Sequence, residues 1–234
     1  MYYNKIVRIF FPKRCSVCGK IIPIERKTCG CCTDKITKIS EDFCMNCGYD
    51  KDGCICCFKS TVKFEHITAP YIYDGIIKER IHSMKFSGEK KEAELFAKDM
   101  SFRFARVFPD VAPDFVTFVP MTQRALNERG FNQSELLAKG VSKHLMLPFK
   151  SVLVKSKDTV CQHSLSAHER VENLADVFCV PDKNEVKGKT LILCDDIKTT
   201  GTTLFRCCEK LYEAGAESVY CLCIAVSDYA KLSF

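Results

Sequence analysis

The sequence predicts an α/β protein in two parts: a small cysteine-held module over residues 1–62, then a parallel sheet flanked by helices over residues 63–234. Three observations carry this. Ten of the 17 cysteines fall between Cys15 and Cys57. From about residue 66, short apolar runs alternate with segments of helical periodicity. The most apolar run, 190–194, leads into an acidic pair and a threonine–glycine loop.

The cysteines form four pairs, Cys15-x2-Cys18, Cys29-x2-Cys32, Cys44-x2-Cys47 and Cys54-x2-Cys57. Two thiolates on one tight turn can reach a single ion, and Zn²⁺ takes four such ligands in a tetrahedron. Four pairs therefore predict two structural zinc sites. The short gaps favour sequential sharing, Cys15, Cys18, Cys29 and Cys32 for one ion and Cys44, Cys47, Cys54 and Cys57 for the other; a cross-braced pairing is the alternative. Cys31 and Cys56 sit inside pairs and could stand in as ligands; they read as spare because Cys29-x2-Cys32 and Cys54-x2-Cys57 keep the uniform spacing. With four protein ligands per ion, no position is left for substrate, so the metal is structural rather than catalytic. Cysteine pairs of this density in a chain without a secretory leader pattern point to metal in a cytoplasmic protein rather than to disulfides. Later cysteines, such as Cys194, Cys221 and Cys223, fall in apolar strands and read as small core residues.

The formal net charge is +6 and the pI about 8.5. Residues 1–60 hold 11 Lys and Arg against 6 Asp and Glu, a net +5, so most of the excess lies in the cysteine module. Such a basic ribbon either contacts nucleic acid, single-stranded DNA being the candidate, or holds proteins together. The sequence has no run of 18 apolar residues, which excludes a membrane-spanning helix.

Beyond residue 63 the elements follow in order. Residues 66–73 read as a strand, 75–86 and 90–107 as helices, 114–120 as a buried strand ending in proline, and 132–147 as a helix. A short strand at 152–154, a helix at 167–175 and a strand at 177–180 follow. The last units are a strand at 190–194, a helix at 203–214 stopped by Gly215, and a strand at 218–226. In such sheets ligands bind beyond the carboxyl ends of the strands. The loop predicted over 195–203 sits at one of those ends. Asp195 and Asp196 can accept from two adjacent sugar hydroxyls or help hold Mg²⁺. Thr199, Thr200, Gly201, Thr202 and Thr203 then offer hydroxyls, a backbone turn and a helix N-terminus, the parts of a phosphate cup. A strand-to-helix turn needs only one capping residue, so this density of polar groups points to a sugar phosphate.

The stretch LILCDDIKTTGTTL resembles the phosphoribosyl pyrophosphate fingerprint of type I phosphoribosyltransferases. With the four CxxC pairs, RGFNQ at 129–133 and Gln162…Arg170…Asn173, the chain looks like the ComF family, which joins a double zinc ribbon to a phosphoribosyltransferase-type domain. The resemblance implies that Asp195 and Asp196 meet ribose hydroxyls, that 199–203 hold the 5′-phosphate, and that Mg²⁺ accompanies the ligand. It places Arg124, Arg129 and Lys85 as pyrophosphate partners; a guanidinium fork matches phosphate oxygens. It also implies a part in DNA uptake during natural transformation, with DNA-uptake proteins as partners. One departure stands out: position 198 is Lys, where the family more often has an aromatic or apolar residue. That cation lies beside the cup or points outward. Three activities stay open, namely ligand and DNA binding without turnover, phosphoribosyl transfer in nucleotide salvage, and an adaptor with a relic site. No residue stands out as a general acid or base.

Overall fold

The computed structural model describes residues 12–15, 20–23, 28–54, 56, 64–87, 90–155 and 177–228. Its centre is a parallel sheet. The strands β1 (His66–Thr68), β2 (Tyr71–Ile72), β3 (Phe115–Phe118), β6 (Thr190–Lys198) and β7 (Ser218–Val226) run in the order β1-β7-β6-β3, with β2 also on β7. A separate antiparallel pair joins β4 (Val154–Lys155) to β5 (Phe178–Cys179). The helices are α1 (Gly30–Thr33), α2 (Gly75–Ser87), α3 (Lys90–Val107), α4 (Gln123–Arg129), α5 (Gln133–Leu145) and α6 (Thr202–Glu213).

Both faces of the sheet are covered, which is why residues 191–194 of β6 and 219–226 of β7 are apolar without interruption. Leu191 and Leu193 of β6, with Val219 and Cys221 of β7, pack under Leu204, Cys207 and Leu211 of α6. Ile192 and Cys194, with Leu222 and Ile224, face Ile77 and Ile81 of α2, Phe96 and Met100 of α3, and Leu137 and Val141 of α5. The strand period of two thus divides one apolar run between two cores. Gly140 lets α3 and α5 meet closely, since a Cβ there would come 2.5 Å from Ala97 Cβ.

The cysteine module is fastened to this sheet. The amides of Phe64 and Ile67 donate to the carbonyls of Asn46 and Met45, at 3.2 and 3.1 Å. Buried Arg103 of α3 donates to Thr68 Oγ1 and to the carbonyls of Ile39 and Ser40, so one guanidinium ties helix, strand and connecting segment. Gly48 (φ +77°) lies against Val226, where a Cβ would stand 3.1 Å from Val226 Cγ1.

Two departures from the sequence reading bear on the site. Strand β6 continues through Lys198, so Asp195 and Asp196 belong to the strand, not to a loop. Residues 195, 197 and 198 pair with 223, 225 and 226 of β7, and that pairing outweighs the weak strand preference of acidic residues. The helix α4 was not expected; Thr122 caps it by accepting from the Ala125 amide. The helix expected at 167–175 lies outside the described residues.

Candidate functional site

The half-buried carboxylates of Asp195 and Asp196 occupy the carboxyl end of β6. Two elements hold them. Ser134, in the first turn of α5, donates its hydroxyl to Asp195 Oδ1 at 2.7 Å, and the Asp196 amide donates to the same oxygen at 2.8 Å. Lys85, in the last turn of α2, brings Nζ to 2.6 Å from Asp196 Oδ2. Desolvation, then the neighbouring Asp196 charge, push the Asp195 carboxyl up to about 7, against the pull of Ser134 and Lys85.

Asn132 explains why Ser134 is in reach. Its Oδ1 accepts from the Ser134 amide, while its Nδ2 donates to the Val119 carbonyl at 3.1 Å. The start of α5 is thereby pinned to the end of β3. The sequence places Ser134 only within the helix expected over 132–147. Its bond to Asp195 spans 61 positions, and no local pattern announces it.

Gly201 forms the turn after β6 with φ +85° and is the N-cap of α6. A side chain is excluded there twice over, by the left-handed backbone and by Phe64, whose Cε2 would lie 3.0 Å from a Cβ. Thr199, Thr200, Thr202 and Thr203 are exposed around it, and the Thr200 and Thr202 hydroxyls stand 3.1 Å apart. Hydroxyls and the amides of a twelve-residue helix start therefore adjoin a carboxylate pair. Such a surface suits a hydroxylated ring that bears a phosphate. On the flank of α6, Thr202, Thr203, Arg206 and Lys210 line a cavity of about 210 Å³ together with Lys155 and Phe178.

Lys85, Asp195 and Asp196 thus come together, and residues 199–203 follow them in the chain. Arg124 and Arg129 lie on the exposed surface of α4, and Arg124 pairs with Glu128 at 2.9 Å. Gln162, Arg170 and Asn173 lie outside the described residues.

The thiols gather as two sequential groups, Cys15 with Cys29 and Cys32, and Cys44 with Cys47, Cys54 and Cys56. Among the described residues the fourth thiol of the second group is Cys56, which the spacing reads as spare; Cys57 and Cys18 lie outside the described residues. Sulfur separations of 3.7 Å (Cys44–Cys56), 3.5 Å (Cys47–Cys54) and 3.4 Å (Cys54–Cys56) are close to the ~3.8 Å edge of a tetrahedron with Zn–S bonds near 2.3 Å. The donor set fits zinc. Burial raises the Cys47 and Cys56 thiols, so an ion would be needed to hold them as thiolates.

Lys198 is 1% exposed and does not point outward. Burial pushes its ammonium down to about 8, while the thiols of Cys47, Cys223, Cys56 and Cys44 act in the opposite sense. Its Cε would stand 3.3 Å from a Cβ on Gly201.

The family model of the double zinc ribbon domain matches residues 6–61, and that of the phosphoribosyl transferase domain matches residues 132–232. The class is a double zinc ribbon joined to a phosphoribosyltransferase-type domain. Over most of its length the chain is similar to proteins named for competence and for DNA utilization. It is 28% identical to the DNA utilization protein YhgH of Escherichia coli K12, covering 91% of this chain and 97% of that protein. It is 28% identical to the competence protein ComFC of Bacillus subtilis, covering 82% and 80%, and 29% identical to competence protein F of Haemophilus influenzae, covering 90% and 95%. Among solved structures, a glutamine phosphoribosylpyrophosphate amidotransferase from B. subtilis overlaps 55% of this chain and 25% of its own, at 23% identity and TM-score 0.38. No helix of the described residues is long and apolar enough to cross a membrane.

Proposed function

We propose that the chain binds phosphoribosyl pyrophosphate, or a related phosphoribosyl ligand, with Mg²⁺, and that it serves DNA uptake in the cytoplasm. The observation that carries the ligand is the placement of Asp195 and Asp196 directly before the Gly201 turn and the start of α6. The acids would take the ribose hydroxyls and, with Mg²⁺ bound, help hold the ion; residues 199–203 would take the 5′-phosphate. Lys85, already at the acids, would turn to the pyrophosphate, with Arg124 and Arg129 from α4. The names of the relatives support the DNA role. The net +5 of residues 1–60 supports contact with single-stranded DNA.

Calorimetric titration of phosphoribosyl pyrophosphate with Mg²⁺ tests the ligand. Heat is expected from the wild type and none from Asp195→Asn/Asp196→Asn; a silent wild type would sink the reading. For DNA, affinity should fall steeply with salt as counterions return to the phosphates. A flat salt dependence would remove the ribbon from the DNA interface.

A second reading, phosphoribosyl transfer, has one specific support. Asp195 is raised to about 7, a value suited to moving a proton near neutral pH. Pyrophosphate release in the presence of free bases distinguishes the two.

A further inference from the structure

Lys198 stands where the ribbon meets the phosphate loop. It lies two residues beyond Asp196 and three before Gly201, yet it is buried. Its strand partner, Val226, carries Gly48 of the Cys44–Cys47 turn on its side chain. The thiols of Cys47, Cys223, Cys56 and Cys44 are among the groups that favour its charge against the burial that disfavours it. Its stem packs against Gly201, and Phe64 packs against the same glycine. Phe64 is in turn hydrogen-bonded to Asn46, inside the cysteine turn.

A zinc ion with four thiolates is a net anion, and a buried anion is costly without a cation nearby. We propose that Lys198 is a positioning residue that couples the second cysteine cluster to the phosphate loop. Its ammonium offsets the charge of the metal-loaded cluster, and its stem, with Phe64, props Gly201. Metal loading at the cluster and the shape of the loop are therefore one event. The role of the loop rests on the phosphoribosyl reading; the coupling itself does not.

The test uses the full zinc-loaded chain as wild type, Lys198→Met and, as an exposed control, Lys183→Met. Zinc release is followed with a chromophoric chelator, and alkylation of Cys44, Cys47, Cys54 and Cys56 assigns the phase that belongs to the second cluster. Lys198→Met should speed that phase about tenfold and leave the other unchanged, as loss of an outer partner does at other metal sites. Hydrogen exchange at the amides of 199–204 should rise in Lys198→Met. It should rise too in wild type once the second cluster alone is stripped. If Lys198→Met does not fold, the stripped wild type decides alone. Unchanged release from the second cluster, or loop amides indifferent to its metal, overturns the proposal. No phosphoribosyl ligand enters either measurement, so failure of ligand binding would be seen separately.

Discussion

Asp195 lies where a carboxylate is uncomfortable, and the discomfort has a sign. In the unfolded chain its carboxyl loses its proton near pH 4. In the folded protein it holds the proton up to about 7, because burial and Asp196 disfavour the charge. The folded state binds the extra proton between those values, so stability is lost as pH rises through that window. Asparagine keeps the Ser134 bond through its own oxygen and carries no charge. Asp195→Asn should therefore melt about 2–4 °C higher than wild type at pH 8 and show a flatter melting profile between pH 4 and 7. A lower melting temperature at pH 8 in scanning calorimetry would contradict this account. The same variant should lose Mg²⁺-dependent ligand heat, which is the usual exchange of stability for function.

Among the elements, α3 and α5 depend on one another through Gly140. Gly140→Val would bring its Cβ to 2.5 Å from Ala97 Cβ and should cost about 1–3 kcal/mol by urea denaturation, through overpacking. Gly201→Ala meets both a left-handed backbone and the Phe64 ring, and should lose about 1–3 kcal/mol along with ligand binding. The core of β6 was legible in LILC because a buried parallel strand reads as an apolar run. Its last four residues were not. Asp195, Asp196 and Lys198 look like a loop, and only pairing with a strand more than 20 residues later makes them a strand. The buried state of Lys198 was hidden for the same reason, since its strand partner Val226 meets Gly48, which is more than a hundred residues away in sequence. Cys56 shows the limit of spacing rules. Cys-x2-Cys and Cys-x-Cys both put two thiols on one turn, and only the fold shows Cys54 beside Cys56.

For the whole molecule, the two cysteine groups should show as two zinc ions per chain by elemental analysis. The ribbon contributes Ile39, Phe43 and, at its end, Phe64 to the same core as β6 and β7. Stripping zinc should therefore destabilise the sheet as well as the ribbon. A fall of roughly 5 °C or more in melting temperature is expected on chelation, with protons taken up by the released thiolates. A melting temperature unmoved by complete removal of zinc would show that the ribbon contributes nothing to the sheet. The division into ribbon and sheet was plain from cysteine spacing and apolar periodicity. Their mutual burial was not, because it is made by single contacts such as Gly48 on Val226 and Arg103 on Ser40.

Strand β7 lies between β1 and β6 and carries the ribbon on its far end. A ribosome makes its neighbours first and this strand long afterwards. Until residues 218–226 leave the exit tunnel, β1 and β6 have no partner between them, and their edges stay open to wrong pairing. The cysteine groups have no such wait, for all their thiols lie within the first sixty residues. Metal capture is thus available well before the sheet can close, since the cysteine groups precede β7 by more than 150 residues.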